Sequence, residues 1–383
     1  GGRALLGGYV GVPLYGHQDC VRSVSCLASA GLLASGSADS TVRLWDEEGS
    51  ALGAVRIPRS TVRAVALAEG VLAAGSWEGI RVWRGAPTGS AAEMAASFGL
   101  KGGGTVLRKN HSGPVSALEF DAGGRCLISG SWDRTVQLWS RDTFEHVRTL
   151  RHRDWIWDVE PRGGLVHVAA GPDLVCHDLE TGRTVAELRG AHGGAPIYAV
   201  EGEHSGRLLY SGGETGSVRV HDLRQKAAPA AGPDDVRLVA GPGLGRVLVE
   251  KQNAQVNDLA LDGGFLGVAS SDGTATVLDL ERHAAAAGGG RRRCMKALHA
   301  AQPMMSLSIC GTKVVAGGLR AELKIYDFSR AFAASLDRLE RAARPPPSRV
   351  RPGLGALSLE DRGGSWMAGG SPVRVPDELA VPT

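Results

Sequence analysis

Two stretches of the sequence carry histidine, serine and aspartate, the residue types of a hydrolytic triad, at one fixed spacing. Each set also contains a tryptophan, and the two sets are His17, Ser35, Asp39, Trp45 and His111, Ser129, Asp133, Trp139. In both, the aspartate follows the histidine by 22 residues. A hydrolase would need the serine exposed, deprotonated by the histidine, with the carboxylate orienting that histidine.

The pattern favours a structural role for these residues over a catalytic one. A later repeat keeps His192 and Ser211 but has Thr215 and His221 where the aspartate and tryptophan would stand. A network that stabilises a fold can be present twice and degraded elsewhere, whereas a catalytic site is not normally built that way. The serines also fall inside strand-like segments, not on the exposed turn that carries a nucleophile. We therefore predict no enzymatic activity, and a Ser/His/Asp hydrolase is the least favoured alternative.

The elements around both sets are strands joined by tight turns. Alternation of apolar and polar residues in LLASGSADSTVRLWD (32–46) and CLISGSWDRTVQLWS (126–140) indicates strands with one buried face. Asp- and Gly-containing turns between the strands indicate hairpins. Seven such repeats end near residues 46, 84, 140, 179, 222, 279 and 327.

A repeat of about 40 residues that closes on Trp-Asp resembles the WD-repeat β-propeller family. The resemblance implies an all-β fold over residues 8–328, a seven-bladed propeller of four-stranded antiparallel blades. It implies that residues 8–15 supply a strand that closes the ring. It also implies a hydrogen-bond chain from Asp through His and Ser to Trp in each complete set. Residues 355–375 resemble part of a further repeat, which leaves eight blades open.

The rest of the chain predicts surface segments and a C-terminal appendage. Gly, Ala and Pro richness indicates surface loops at 85–109 and 225–250. Residues 329–347 have helical spacing and then a proline-rich linker, and residues 348–383 form the short appendage. The run Arg291–Arg293 is expected in a solvated loop.

Composition excludes several classes of function. The formal net charge of +3 is too small to indicate a nucleic-acid or membrane partner. The six cysteines contain no C-x-x-C pair and no zinc spacing, so we expect no metal and no cofactor. Reduced cysteines and the lack of a long apolar run predict an intracellular protein, cytoplasmic, nuclear or both. The sequence does not begin with Met, which leaves a missing N-terminal module open.

The predicted binding surface is the end of the ring where the Asp-bearing turns and His-bearing loops meet. WD-repeat proteins generally bind partners there. Aromatic and arginine residues that the repeat does not require fall at this end, namely Trp77, Trp132, Trp155, Trp157, Tyr198, Arg22, Arg63 and Arg134. These residue types dominate interface hot spots. The alternative is that Trp155 and Trp157 only fill a wide blade. The arginines favour proteins or peptides that are acidic or phosphorylated.

One further motif bears on the partner. The segment SVRVHDLR (217–224) resembles the box by which many WD-repeat proteins dock onto the adaptor of cullin-RING ubiquitin ligases. It has the Asp222-x-Arg224 ending, but His221 replaces the Trp or Tyr of that box. The sequence therefore predicts a non-catalytic scaffold, with a substrate receptor of such a ligase as the specific version. An architectural subunit of a large multiprotein assembly is the alternative.

Overall fold

The strands of the chain form seven separate small sheets. The computed structural model describes residues 9–58, 60–87, 89–107, 111–204, 206, 208–223, 237–240, 245–250, 254–280, 295–300 and 302–329. Several predictions lie outside these residues: the C-terminal helix and linker beyond Ser329, the appendage with its partial repeat, Arg224, and the run Arg291–Arg293.

Each of the first three sheets, which we call blades 1 to 3, has four antiparallel strands in chain order. Blade 1 consists of Val21–Leu27, Leu32–Ser37, Thr41–Asp46 and Ala51–Arg56. Blade 2 consists of Ala64–Ala68, Val71–Ser76, Gly79–Arg84 and Thr105–Val106. Blade 3 consists of Val115–Phe120, Cys126–Ser131, Thr135–Ser140 and His146–Arg151.

Blades 4 to 7 follow the same plan. Blade 4 consists of Ile156–Arg162, Leu165–Ala170, Asp173–Asp178 and Thr184–Arg189, with Arg237–Ala240 added in parallel at its outer edge. Blade 5 consists of Ile197–Gly202, Leu208–Gly213, Ser217–Asp222 and Arg246–Glu250. Blade 6 consists of Val256–Asp262, Phe265–Ser270, Thr274–Asp279 and Met295–His299. Blade 7 consists of Met304–Cys310, Lys313–Gly318, Leu323–Asp327 and Val10–Leu14.

The blades form a closed ring. The first strands of consecutive blades contact one another around a central axis, and Met304–Cys310 of blade 7 contacts Val21–Leu27 of blade 1. The outermost strand of blade 7 comes from the start of the chain, since Val10 to Leu14 pair antiparallel with Asp327 to Leu323. The predicted all-β, seven-bladed propeller is therefore confirmed, and the part of the chain that the structure describes contains no eighth blade.

Apolar side chains fill the space between blades, and buried polar side chains connect the innermost strands. Val62 and Val65 of blade 2 lie where a Cβ on Gly36 of blade 1 would collide with them, so only glycine allows this approach. Asp158 accepts a 2.8 Å hydrogen bond from the Val200 backbone N–H of the next blade. These contacts hold the inner strands at a fixed separation.

The loop predicted at 85–109 is only partly a loop, and the prediction was wrong there. It contains the helix Ala91–Ser97 and a 3-10 turn, Leu100–Gly102, before the outer strand of blade 2. Ser90 caps the helix by accepting from the Glu93 N–H at 3.3 Å, and Met94 is buried against blades 1 and 2. The alanine content of this segment was interpreted as that of a surface loop, but alanine also favours a helix.

The second predicted loop, 225–250, also contains strands. Arg237–Ala240 extends blade 4, and Arg246–Glu250 is the outer strand of blade 5. Both strands are rich in valine or leucine, the pattern that a sheet edge accepts.

Among the described residues, no helix is long and apolar enough to cross a membrane.

Candidate functional site

The four residues of each set form a continuous hydrogen-bond chain inside one blade. In blade 1, Trp45 Nε1 donates to Ser35 Oγ at 2.9 Å, and Ser35 Oγ lies 2.7 Å from His17 Nε2. His17 Nδ1 lies 2.9 Å from Asp39 Oδ2. Because the indole N–H can only donate and a carboxylate can only accept, the Ser35 hydroxyl donates to Nε2 and Nδ1–H donates to Asp39.

Blade 3 repeats this geometry. Trp139 Nε1 donates to Ser129 Oγ at 3.0 Å, and Ser129 Oγ lies 2.8 Å from His111 Nε2. His111 Nδ1 lies 3.0 Å from Asp133 Oδ2. Burial alone would raise the pKa of Asp133, but hydrogen bonds from His111 and a neighbouring threonine lower that pKa well below its usual range. The carboxylate therefore stays ionised and anchors the chain.

A threonine completes each network, and it was not among the residues predicted from the two repeats. Thr41 Oγ1 donates to Asp39 Oδ1 at 2.6 Å, and Thr135 Oγ1 donates to Asp133 Oδ1 at the same distance. The signal was present in the sequence as Asp-x-Thr in both repeats. Blade 6 has the same pair, since Thr274 Oγ1 lies 2.6 Å from an Asp272 oxygen.

The buried serines are not placed to act as nucleophiles. Ser35 and Ser129 are fully buried, and each hydroxyl already accepts from a tryptophan and lies beside a histidine nitrogen. Burial also lowers the pKa of His17 despite its Asp39 neighbour, so that imidazole is neutral at pH 7. A substrate could reach neither hydroxyl without separating the strands.

Blade 5 keeps part of the chain with different residues. His192 Nε2 lies 2.8 Å from Ser211 Oγ, and His221 Nε2 lies 2.9 Å from the same oxygen. Thr215 Oγ1 lies 3.1 Å from His192 Nδ1, in the position of the missing carboxylate. His221 therefore takes the part of the tryptophan, and the blade has no charged anchor for its histidine.

Blade 4 has a histidine pair in place of the network. The imidazoles of His152 and His177 meet edge to face, with ring centroids 5.1 Å apart. Burial lowers the pKa of His152 to about 3 and that of His177 to about 4. Both rings are therefore neutral at pH 7, and protonation of either would place a charge in the interior.

Near the start of six innermost strands, a β-bulge turns one side chain toward the ring axis. The strand pairing skips one residue in each of blades 1 and 3 to 7, namely Arg22, Ser116, Trp157, Tyr198, Asn257 and Met305. All of them line the central channel, as does Arg63 of blade 2. Bulges redirect a side chain in this way. These strand starts lie beside the Asp-bearing turns, since Trp132 N donates to Pro114 O at 3.1 Å.

An aromatic cluster lies at this end of the channel. The Trp132 and Trp155 rings stack at 5.3 Å with planes inclined by 16°. Trp157 meets Trp132 edge to face at 5.5 Å, and Tyr198 meets Trp157 at 4.9 Å. Trp155 remains 48% exposed, and Trp132 Nε1 is buried with no hydrogen-bond partner among the described residues. The cluster is thus packed from within and open on one side.

Two arginines border the cluster. The Arg63 guanidinium lies 4.2 Å from the centre of the Trp132 ring, a cation–π contact. Burial, and then the positive charge of Arg22, lower the pKa of Arg63. Neither arginine has an ion-pair partner among the residues that the structure describes. We call Arg22, Arg63, Trp132, Trp155, Trp157 and Tyr198 the mouth surface.

Two predicted binding residues lie outside the mouth surface. Trp77 is 60% exposed, and within the described ranges no ring contact joins it to the other tryptophans. Arg134 is exposed at the blade 3 turn, with a left-handed φ of 68°. The structure describes the docking motif as far as Leu223, so Arg224 lies outside the described residues. Asp222 ends its strand, and the neighbouring His221 is buried.

Deeper in the channel, the titratable side chains are mostly acidic. Glu119, Glu160 and Glu201 occupy the same level on blades 3, 4 and 5, three residues after the bulge in each strand. Burial raises the pKa of all three, that of Glu160 to about 8. Arg162 Nε lies 2.7 Å from Glu160 Oε1. The channel of about 320 Å³ therefore has a cationic, aromatic mouth and an acidic interior.

Comparison with known proteins gives the same repeats. The family model for "WD domain, G-beta repeat" matches residues 8–46 and 104–140, the segments that carry the two complete hydrogen-bond chains. An F-box/WD-40 repeat-containing protein of Arabidopsis thaliana is 29% identical over 89% of this chain and 62% of its own length. Ribosome biogenesis protein ytm1 of Aspergillus clavatus is 27% identical over 57% of the chain and 42% of its own length.

A third relative, nuclear distribution protein PAC1 of Arthroderma otae, is 31% identical over 39% of this chain and 32% of its own length. The chain thus spans less than two thirds of each of these relatives. Two family-model matches, seven blades in a closed ring and the repeated Asp–His–Ser–Trp chain agree. Residues 8–46 and 104–140 are WD repeats, and they form part of a seven-bladed β-propeller.

Proposed function

We propose that the protein is a non-catalytic scaffold that binds a peptide segment of a partner protein on the mouth surface. The observation that carries this proposal is the Trp132–Trp155 stack, which leaves Trp155 half exposed and the Trp132 N–H without a partner. A carbonyl oxygen of the partner could accept from the Trp132 Nε1–H group, which has no hydrogen-bond partner in the free protein. Exposed aromatic residues on a rigid frame are typical of binding hot spots.

The proposed peptide is acidic or phosphorylated. Arg22 and Arg63 stand at the channel mouth, and the described residues offer neither a carboxylate partner. Two neighbouring guanidinium groups repel each other, and a phosphate or carboxylate between them would relieve that repulsion. The proposal includes no membrane partner, and the net charge of only +3 does not indicate a nucleic-acid partner.

The specific version is a substrate receptor of a cullin-RING ubiquitin ligase. Its support is the Arabidopsis relative named as an F-box/WD-40 repeat protein, together with the Asp222-x-Arg224 motif. Buried His221 in place of an aromatic residue weighs against docking through that motif. We propose an intracellular location, in the cytoplasm or nucleus, which agrees with the names of the ribosome biogenesis and nuclear distribution relatives.

An architectural subunit of a large assembly is the second candidate. Arg237–Ala240 adds a fifth strand to blade 4 in parallel, a feature that no other blade has among the described residues. A widened outer edge offers a contact area apart from the mouth surface. The ribosome biogenesis relative gives this candidate some support, because its name refers to the making of a large assembly.

The test is affinity purification of the tagged protein from its own cells, followed by mass spectrometry. Wild type is compared with Trp155→Ala and with Val147→Ala, which removes an exposed apolar side chain from the outer edge of blade 3. Recovery of a cullin with its adaptor supports the receptor. One stoichiometric complex without a cullin, retained by Trp155→Ala, identifies an architectural subunit and overturns the mouth-surface proposal.

A further inference from the structure

Two thiols from distant parts of the chain meet where the ring closes. Cys26 lies on the innermost strand of blade 1, and Cys310 ends the innermost strand of blade 7. Both are free and partly buried. Cys26 Sγ lies 3.2 Å from Ser308 Oγ and 3.4 Å from the Ile309 carbonyl oxygen. Side chains alternate along a strand, so Cys310 lies on the same face of its strand as Ser308, the face that the Cys26 thiol contacts.

The pleat of the blade 1 strand sets the direction of Cys26. Ser23 Oγ and Ser25 Oγ point toward blade 2, where they accept from the Val65 and Leu67 backbone N–H groups at 3.0 and 3.1 Å. Side chains alternate along a strand, so Cys26 points the other way, toward blade 7. The contact between the two thiols therefore follows from the fold and does not depend on a mobile side chain.

The two sulfurs differ in acidity. The hydrogen bond from Cys26 lowers the pKa of Cys310, while its counterpart raises the pKa of Cys26 well above its usual value. Lys313 stands directly opposite Cys310 in the strand pair and also lowers the Cys310 pKa, whereas burial and the charges of Asp262 and Glu47 raise it. Because this cation faces Cys310, we assign Cys310 as the nucleophilic member of the pair and Cys26 as the second thiol.

We propose that Cys26 and Cys310 form a reversible disulfide that fastens blade 1 to blade 7 when the protein meets a hydroperoxide. The Cys310 thiolate attacks one oxygen of hydrogen peroxide and the O–O bond breaks. The hydroxide released takes up the proton that the Cys310 thiol had lost, and Cys310 becomes a sulfenic acid. The Cys26 sulfur then attacks the Cys310 sulfur, the S–O bond breaks, and hydroxide leaves as water with the Cys26 proton. One peroxide is reduced to two waters, and two thiols are oxidised to one disulfide.

The bond would change how the ring is held together. At the outer edge, blade 7 is completed by non-covalent contacts alone, the strand pairing of Val10–Leu14 with Leu323–Asp327 and the packing of apolar side chains. The disulfide adds a covalent connection at the inner edge. A small oxidant can approach, because Cys310 is partly exposed and Cys26 lines the central channel. Cellular thiols would reduce the bond again, so the covalent closure lasts only while oxidant is present.

The first experiment maps the bond in the wild-type full chain. The protein is treated with hydrogen peroxide, blocked with iodoacetamide and digested with trypsin without reductant. Trypsin releases residues 23–43, which contain Cys26, and residues 297–313, which contain Cys310, each with a single cysteine. We expect these two peptides to be disulfide-linked and to separate with dithiothreitol. Cys126, whose pKa burial raises to about 12, serves as the internal control and stays alkylatable only under denaturing conditions.

Variants then assign the two roles. Cys26→Ser should accumulate a sulfenic acid on Cys310 that dimedone labels, whereas Cys310→Ser should leave Cys26 unlabelled. The matched control, Cys126→Ser, should form the cross-link at the wild-type rate. Oxidised wild type should melt several degrees above the reduced protein, and dithiothreitol should reverse the shift. The proposal is overturned if wild-type protein gives no linked peptide pair, or if dimedone labels Cys26 in preference to Cys310.

Discussion

The Arg63 guanidinium of blade 2 lies 4.2 Å from the centre of the Trp132 ring of blade 3. The same indole stacks on Trp155 of blade 4. One tryptophan therefore contacts both a cation and a second ring, and three blades contribute to a single surface. These contacts restrict the Trp132 ring in the free protein, so less side-chain entropy remains to be lost on binding.

Replacement of Trp132 should therefore remove much of the binding energy of the mouth surface. We expect Trp132→Ala to weaken partner capture at least about 30-fold, the effect of a hot spot worth about 2 kcal/mol. Trp77→Ala is the matched control, since Trp77 is exposed but lies apart from the cluster. Titration calorimetry with the partner peptide measures both. Equal losses for the two variants would place the binding site elsewhere.

Removal of one hydroxyl from a buried network should lower stability without affecting capture. Ser129→Ala leaves His111 Nε2 and Trp139 Nε1 without partners in the interior. We expect the free energy of unfolding to fall by about 1–3 kcal/mol. Ser112→Ala, at an exposed position of the adjacent loop, is the control. Denaturant titration gives the loss, and a pull-down should show unchanged capture. An enzymatic activity lost with Ser129 would contradict the structural role.

The histidine pair of blade 4 should make the protein sensitive to acid. In the folded state the pKa of His152 is about 3 and that of His177 about 4, both below the usual value of 6.5. The unfolded chain thus binds more protons between pH 6.5 and these values, so the free energy of unfolding falls as pH falls through that window. Each residue contributes at most about 2 kcal/mol of this loss at pH 5. Urea titrations at pH 7.5, 6 and 5 measure the slope, which His177→Phe should reduce.

The acidic interior of the channel has the opposite effect. Burial raises the pKa of Glu160 to about 8, and burial together with the charge of Glu160 raises that of Glu201. The folded state then holds protons that the unfolded chain releases above pH 4.5, so these groups lower stability as pH rises toward 8. Glu201→Gln should raise the melting temperature at pH 8 and have little effect at pH 4.5. Arg162→Met, which removes the neighbouring cation, should lower it at pH 8. The same sign for both variants at pH 8 would refute this account.

The fold could be predicted from the sequence because its information is local and repeated. Each strand pair shows its own alternation and turn, and the spacing of His17, Ser35, Asp39 and Trp45 recurs unchanged 94 residues later. A single repeat would have been ambiguous, whereas seven in register leave one architecture. Thr41 also belongs to the repeat, as Asp-x-Thr, but a threonine at the start of a strand is ordinary strand composition and does not by itself indicate a network.

The features that the sequence did not predict depend on contacts between residues that are distant in the chain or that the repeat pattern does not encode. Trp77 precedes a turn acid just as Trp132 does, but the ring partners of Trp132 are Trp155 and Trp157, which come from the next blade. The helix Ala91–Ser97 was hidden in a segment whose Gly and Ala content is also typical of loops. The meeting of Cys26 with Cys310 depends on ring closure, which joins segments from opposite ends of the propeller.

Among the strands of the propeller, Val10–Leu14 is made first and paired last. Within the described residues its partner in the sheet is Leu323–Asp327, so during synthesis it has no sheet neighbour until almost the whole propeller has left the ribosome. Throughout that interval blade 7 is not yet formed, and the side of blade 1 that it covers is exposed to solvent. An exposed sheet face or edge of this kind can pair with another nascent chain. Folding of this protein therefore ends with a long-range step that joins the two ends of the ring, and its yield in a cell should depend on chaperones that shield an open ring.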